Sequence, residues 1–227
     1  IFTFNAGFKK NKSDLLILTF DKAVPVVAAY SKTSTPSAPI IWDKKNNDGY
    51  CKSLIVNSGN ANAHTGTKGI KKIEKYTEKA SQIFHCKQNE ILVSSTGIIG
   101  EQIDSKKIIR KLDNISQTSS KGILDAAKSI MTTDTFPKVE ISTIKYKSHQ
   151  VTIYGFAKGS GMIAPNMGTM LAYIFIEAPL TNKKLKTLLN EHIDSTFNSI
   201  SVDGDTSTSD TVMLFGIDKK NSTLKIN

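Results

Sequence analysis

Short apolar runs alternate irregularly with segments of helical periodicity along the whole chain, and this alternation constrains the fold most. Residues 15–20, 53–57 and 91–93 have the length and the aliphatic, partly β-branched content of buried strands. Residues 68–86 carry apolar or aromatic side chains at nearly helical spacing. Because strands and helices are mixed without a regular strand–helix–strand repeat, the pattern predicts an α/β fold made of α+β layers.

The remaining elements are predicted from the same patterns. Further strands are expected at residues 24–30, 170–176 and 212–215, with a hairpin at 139–154. Further helices are expected at residues 104–112, 122–131 and 182–200. A turn rich in Pro, Ser and Thr and a polar loop are expected at residues 33–39 and 44–49.

The chain has 227 residues and a formal net charge of +10, which raises the question of an anionic partner. Most of the excess charge comes from scattered lysines, often beside Asn, as in residues 44–47. Such lysines usually form a solvated surface, and no RNA-binding or zinc-finger motif accompanies them. No apolar run reaches the roughly 18 residues that span a bilayer. We therefore expect no nucleic-acid partner and no membrane partner.

The two cysteines, Cys51 and Cys86, do not resemble a secreted disulfide framework, and the adjacent His85 does not complete a metal site. We expect both to be reduced thiols in a cytoplasmic protein. The chain begins without Met, and residues 221–227 have the pattern of an unfinished strand. We therefore expect sequence to be missing at both ends.

Four loops of small, hydroxyl-bearing or amide residues follow predicted strands and helices. They are residues 57–66, 94–100, 131–138 and 158–171. The second has the composition of an oxyanion hole, because small residues let backbone N–H groups and a hydroxyl face an anionic centre. Taken one at a time, the first three are explained at least as well as turns that cap helices.

Two ligand-binding motifs are excluded by their spacing. The fourth loop lacks the phosphate-binding pattern Gly-x-x-x-x-Gly-Lys-Ser/Thr, because Lys158 precedes the glycines. Residues 202–211 are rich in Asp, Ser and Thr, but Leu214 occupies the position at which a calcium-binding EF-hand loop requires Glu. We therefore expect neither a cofactor nor a metal ion.

Together these segments resemble the ornithine acetyltransferase family, also called the bifunctional glutamate N-acetyltransferase family. The resemblance covers most of the chain, and its most specific piece is Asn-Met-Gly-Thr-Met-Leu at residues 166–171. The other matching segments are residues 57–66, 132–138 and 202–211. Several such segments in the family's order make the resemblance specific where one alone would not.

The resemblance implies a two-lobed α/β sandwich whose chain cleaves itself before a Thr. In this sequence the bond is Gly168–Thr169, and the family commonly has Ala where Gly168 stands. Cleavage there would divide the chain into an α-chain-like segment, residues 1–168, and the start of a β-chain-like segment, residues 169–227.

By the same resemblance, Thr169 is the nucleophile, and the α-amine freed by cleavage, with a pKa of about 8, is its base. The implied reaction is ping-pong transfer of acetyl from N2-acetylornithine to glutamate through an acetyl-Thr169 enzyme, in arginine biosynthesis. The Thr96 hydroxyl and the Gly97 backbone N–H are implied to form the oxyanion hole. Thr132, Lys158 and Thr169 are implied to bind substrate, with Lys158 paired to the α-carboxylate.

The resemblance also implies α and β chains that arise from one precursor and assemble as a heterotetramer, with acetyl-CoA as a second candidate donor. Members of the family continue well past the end of this chain, so we expect it to be truncated at its C-terminus. Two alternatives stay open. One is a related N-terminal-nucleophile amidohydrolase or aminopeptidase, which passes the acyl group to water, and the other is an inactive truncated remnant.

Overall fold

The computed structural model describes residues 1–146, 149–162 and 170–218. Within these residues eight strands form one sheet. The strands are β1 (Phe2–Phe4), β2 (Leu15–Tyr30), β3 (Tyr50–Asn60), β4 (Ile91–Ile98), β5 (Lys138–Tyr146), β6 (His149–Lys158), β7 (Leu171–Ile176) and β8 (Thr211–Gly216). Their order is β4-β3-β2-β8-β7-β6-β5, with β1 also paired to β2. The β3–β4 and β7–β8 pairs are parallel, and the other pairs are antiparallel.

The described helices lie on both faces of this sheet. They are α1 (Ala38–Asn46), α2 (Gly66–Phe84), α3 (Ser105–Asp113), α4 (Ile123–Ile130) and α5 (Asn182–His192). Short 3₁₀ turns occur at Gln88–Glu90, Ile115–Gln117 and Phe197–Ser199. This mixed α/β sheet confirms the predicted fold class, with strands and helices layered against each other.

Alternation of side chains along β2 separates the two faces. Leu16 and Leu18 belong to a core shared with α4, whereas Leu15 and Ile17 belong to a core shared with α1, α2 and α3. On the latter face, α5 covers β7 and β8. Helix α4 contacts β1, β2 and β3 as well as β5 and β6, so the sheet curves around it. This curvature brings the ends of distant strands to one place.

Strand β2 is longer than the sequence indicated. The separate strands predicted at residues 15–20 and 24–30 are one element, with a register shift between Thr19 and Val24 in its pairing with β3. The exposed Asp21 and Lys22 interrupt the apolar pattern, but the backbone pairing continues past them. The first part of β2 pairs with β3, and its last residues pair with β8.

Helix α1 was not predicted, because the turn at residues 33–39 and the loop at 44–49 were assigned to the segment it occupies. Pro39 lies in the first turn of α1, where a missing backbone N–H breaks no helical hydrogen bond. Ile40 and Trp42, on the same helix, are buried. Helix α5 ends at His192 rather than at residue 200. The hydroxyls of Ser195 and Thr196 both donate to the His192 carbonyl, so side chains replace the next helical amides.

In the part of the chain that the structure describes, no helix has the length and apolar content needed to cross a membrane.

Candidate functional site

A cavity of about 600 Å³ opens at the ends of β3, β4 and β6, beside the C-terminal end of α4. Thr96 and Gly97 line it from β4, and Lys158 lines it from the end of β6. Thr132 contributes from the segment after α4. Four residues that the sequence predicted for the site therefore share one cavity, although they come from three segments that are distant in the sequence.

Lys158 is the central polar group of this cavity. It is only 3% exposed, and its Nζ donates to Thr96 Oγ1 at 3.1 Å and to Thr132 Oγ1 at 2.9 Å. Burial lowers the pKa of Lys158, while Asp134 and Asp210 act in the opposite direction. An ammonium can only donate, so both threonine hydroxyls accept from it and keep their own hydrogens for another acceptor. Thr96 and Thr132 are thus oriented as donors.

Gly97 occupies a position that only glycine fits. Its φ is +126°, and a Cβ placed there would lie 2.6 Å from the Asn60 nitrogen on β3. Any side chain would therefore combine a strained backbone with a clash against an unyielding main chain. The close approach sets the backbone of Gly97 directly at the cavity, where the sequence predicted an oxyanion donor.

Asp134 ties the two polar loops together. Its carboxylate accepts from the Gly159 amide at 2.8 Å, from the Thr132 amide at 3.2 Å and from Lys138 Nζ at 2.8 Å. Burial opposes ionisation of Asp134, but these donors outweigh burial and lower its pKa. Asp134 therefore carries a negative charge that fixes both Thr132 and the residue after Lys158.

Lys9 and Ser58 anchor the end of α4, from which Thr132 projects. Lys9 Nζ donates to the Met131 carbonyl at 2.9 Å, and Ser58 Oγ donates to the Ser129 carbonyl at 2.6 Å. A cation suits this position because the carbonyl end of a helix carries partial negative charge. Burial lowers the pKa of Lys9, and the nearby cation Lys158 also lowers it. Lys9 also lines the cavity, so two lysines face the space beside Thr96.

The segment before β8 forms the remaining wall. Ser207, Thr208 and Ser209 line the cavity, and the next residue, Asp210, is buried behind them. Asp210 Oδ1 accepts from the Met170 amide at 2.8 Å. Burial raises the pKa of Asp210 to about 7, against the opposing influence of that amide, of Ser207 and of Lys158.

The structure locates some of the predicted site residues and leaves others undescribed. Gly168 and Thr169, the predicted cleavage site and nucleophile, lie outside the described residues, and the division of the chain between them stays a prediction. The predicted roles of Thr96, Gly97, Thr132 and Lys158 also stay predictions.

Sequence reasoning did not single out Lys9, Asp134 or Asp210. The two aspartates lay within motifs that carry the family resemblance, and an acidic residue in such a motif was the available signal. Nothing in the sequence around Lys9 indicated that the N-terminal loop folds over the end of α4. Asp14 holds that loop by accepting from the amides of Ala6, Phe8 and Lys9, and such pairing is invisible in a sequence pattern.

Comparison with known proteins gives matches over nearly the whole chain. The ArgJ family model matches residues 1–226. The arginine biosynthesis bifunctional protein ArgJ of Bradyrhizobium diazoefficiens is 44% identical over 216 residues, which cover 94% of this chain and 52% of that protein. The chain thus spans about half the length of the curated relatives it matches.

Solved structures match as well. ArgJ from Bacillus halodurans superposes with a TM-score of 0.65 at 28% identity, over 73% of this chain and 87% of that one. The ornithine acetyltransferase of Mycobacterium tuberculosis, solved with ornithine, superposes with a TM-score of 0.60 over 74% of this chain and 90% of that one. Its identity is 23%, so this second match concerns the fold alone.

Proposed function

We propose, from the premise that the chain belongs to the ArgJ family, that it carries the acetyl-transfer site of an ornithine acetyltransferase. The proposed reaction moves acetyl from N2-acetylornithine to glutamate, with Thr169 as the nucleophile. The nucleophile is exposed when the chain cleaves itself between Gly168 and Thr169. Cleavage leaves Thr169 with a free α-amine, which suits the role of base for its own hydroxyl.

The observation that carries the proposal is the bridging position of Lys158. One buried ammonium donates to both Thr96 and Thr132 inside the cavity, and this leaves two hydroxyl hydrogens directed elsewhere. A carbonyl oxygen that gains negative charge needs such donors fixed in advance. A cation with a third hydrogen to donate is also suited to a substrate carboxylate.

The proposed mechanism has two halves. Thr169 Oγ attacks the acetyl carbonyl of N2-acetylornithine, the Thr96 hydroxyl and the Gly97 N–H stabilise the oxyanion, and ornithine leaves with the proton taken from Thr169. The glutamate amine then attacks the acetyl ester, and its proton returns to Thr169 as acetylglutamate leaves. Lys158 holds the α-carboxylate that both substrates share, with Thr132 beside it.

The wider setting belongs to the same proposal. We place the reaction in arginine biosynthesis, as the names of the relatives suggest, with acetyl-CoA as a second donor and with two kinds of chain assembled as a heterotetramer. Cys51 and Cys86 are both free thiols, which is compatible with the reducing cytoplasm that we propose as its location.

The test begins with the intact mass of the purified chain and of Thr169→Ala. We expect two fragments divided between residues 168 and 169 in the parent and one uncut chain in the variant. Thr187→Ala is the matched control, because Thr187 is an exposed threonine on α5, and it should be cut like the parent. A parent chain that stays whole would contradict a live nucleophile within these residues.

Turnover is tested next, with N2-acetylornithine and glutamate as substrates. We expect acetylglutamate, and Thr96→Val should lower the rate by about 10² to 10³, the usual cost of removing one oxyanion donor. Free acetate as the main product would support the hydrolase alternative instead. A cleaved chain without turnover would support an inactive remnant.

A further inference from the structure

Asp210 is placed to act on the chain immediately after Thr169. Its Oδ1 accepts from the Met170 amide at 2.8 Å, and the Thr211 amide donates to the Met170 carbonyl at 2.9 Å. Met170 is thereby held on both sides by the start of β8. Because Met170 follows Thr169 in the sequence, Asp210 binds the N–H of the peptide bond that joins these two residues.

The hydrogen bonding of the second oxygen of Asp210 is unusual for a buried carboxyl. Oδ2 has no hydrogen-bond partner among the residues that the structure describes, and the whole side chain is 0% exposed. The Ser207 hydroxyl lies near this carboxyl and acts to lower its pKa. A buried polar atom left in this way normally costs stability.

Among the residues that the structure describes, one charged side chain acts on Asp210. This neighbour is Lys158, which lines the cavity from the end of β6. The groups presented by β2, by the start of β7 and by its own loop are Ser31, Met170 and Ser207, none of which titrates. Burial raises the pKa of Asp210 to about 7, so its charge changes in the neutral range.

A purely structural role does not account for this arrangement. An asparagine oxygen could also accept from the Met170 amide, and it would not place a titrating group in the core. The carboxyl differs from an amide in its charge, and a charged acceptor binds an N–H roughly twice as strongly as a neutral one. The feature that a carboxyl adds here is therefore a hold on Met170 that changes with pH.

We propose that Asp210 is a positioning residue for Thr169: its ionised carboxylate fixes the Met170 amide, and protonation weakens that hold and slows self-cleavage. The inference rests on the proposed function, since it requires Thr169 to be the nucleophile. It assigns Asp210 no contact with the reacting atoms.

The cleavage itself balances without a proton from Asp210. Thr169 Oγ forms a bond to the carbonyl carbon of Gly168, and the carbon–nitrogen bond between the two residues breaks. The hydroxyl proton is transferred to the departing nitrogen, which becomes the α-amine. Water then hydrolyses the ester and leaves a carboxyl on Gly168. Asp210 affects the rate of this sequence through the orientation of the backbone that carries Thr169.

The first experiment follows cleavage by intact mass over a range of pH. In the parent, the rate should rise through about pH 7 as Asp210 ionises. Asp210→Asn keeps the shape and one acceptor oxygen but cannot ionise, so it should cleave at least about tenfold more slowly above that pH, without the inflection. Asp43→Asn is the control, because Asp43 is also a buried acid with a raised pKa but lies away from the cavity.

The outcomes separate this inference from the proposed function. If Asp210→Asn cleaves at the parent's rate with the parent's pH profile, the inference is wrong and the proposed function survives. If the parent stays whole at every pH, the proposed function fails, and the inference fails with it. If Asp43→Asn also loses the inflection, a general loss of packing explains the profile and the inference is again wrong.

A second experiment does not depend on cleavage. In uncut Thr169→Ala, the Met170 amide is observed by ¹H–¹⁵N NMR while pH is varied. Its shift should titrate near pH 7, and the titration should vanish in Thr169→Ala combined with Asp210→Asn. A Met170 amide whose shift is flat across this range overturns the inference.

Discussion

The regions around Asp43 and Asp210 each bury a carboxyl, but they differ in the hydrogen-bond donors that they supply to it. Asp43 lies on α1 and faces β4, where its two oxygens accept from the Val93 amide at 3.1 and 3.4 Å and Oδ2 also accepts from the Tyr30 hydroxyl. Asp210 lies behind the cavity wall and uses only one oxygen within the described residues. Burial raises the pKa of both.

The difference teaches that a raised pKa does not by itself mark a functional acid. Asp43 belongs to α1 and its partners belong to β4 and β2, so its role is to connect the helix to these strands. Around Asp210 the partner is the amide of the residue after the predicted nucleophile, and the second oxygen has no hydrogen-bond partner in the described part of the chain. Partners and location distinguish the two acids where burial does not.

The largest expected effect concerns the first region. Asp43→Ala removes the acceptor for the buried Val93 amide and leaves a void between α1 and β4. We expect the free energy of unfolding to fall by about 2–4 kcal/mol, measured by urea denaturation. A loss below about 0.5 kcal/mol would mean that Asp43 does not join these elements.

The second expected effect concerns how stability depends on pH. Because the folded pKa of Asp210, about 7, lies above its unfolded value of about 4, the folded chain binds the extra proton between these limits. Stability contributed by this group is therefore present below about pH 4 and is lost as pH rises through 7. Asp210→Asn should be more stable than the parent at pH 8 by about 1–3 kcal/mol.

The comparison at low pH provides the internal control for this second effect. Near pH 4 the parent and Asp210→Asn should have similar free energies of unfolding, because both side chains are then neutral. Parallel stability curves for the two proteins from pH 4 to pH 8 would contradict a raised pKa at Asp210.

The third expected effect separates the two acids by their neighbours. Lys158 lowers the pKa of Asp210 but does not act on Asp43. Lys158→Met should therefore raise the pKa of Asp210, by about one unit or less, and leave Asp43 unchanged. The measurement is ¹³C NMR of labelled aspartate carboxyls, with the exposed Lys186→Met on α5 as the control. Equal shifts at both acids would show a global change instead.

The smallest expected effect sets the scale for both buried acids. Asp113 pairs with Lys79 at 2.7 Å, and both side chains are partly exposed, at 47% and 35%. Exposed ion pairs contribute little because water screens them. Asp113→Asn should change the free energy of unfolding by about 0.5 kcal/mol or less, by the same urea assay. A larger loss would weaken the contrast drawn between buried and exposed carboxyls.

The sequence predicted most strands and helices because their apolar periodicity is local. It did not predict α1, whose apolar residues surround a proline in the first turn, or the joining of two runs into β2. Local patterns also carry no information on pairing between distant strands. The placement of β8 between β2 and β7 was therefore not predictable from them.

The candidate site also has a part that the sequence predicted and a part that it could not predict. Thr96, Gly97, Thr132 and Lys158 were predicted because they stand in family motifs, and the structure brings them to one cavity. The contact between Lys158 and Thr96 spans 62 residues of sequence and depends on the curvature of the sheet. The lack of a partner for Asp210 Oδ2 among the described residues was equally unpredictable, since it depends on what surrounds the side chain in three dimensions.

The order of the strands bears on what a cut between residues 168 and 169 would produce. Strands β7 and β8 come after that bond, yet they lie between β2 and β6, which come before it. The later fragment would be clamped by a row of backbone hydrogen bonds along each flank. The two products would thus stay associated through this strand pairing, and neither would have a complete hydrophobic core without the other.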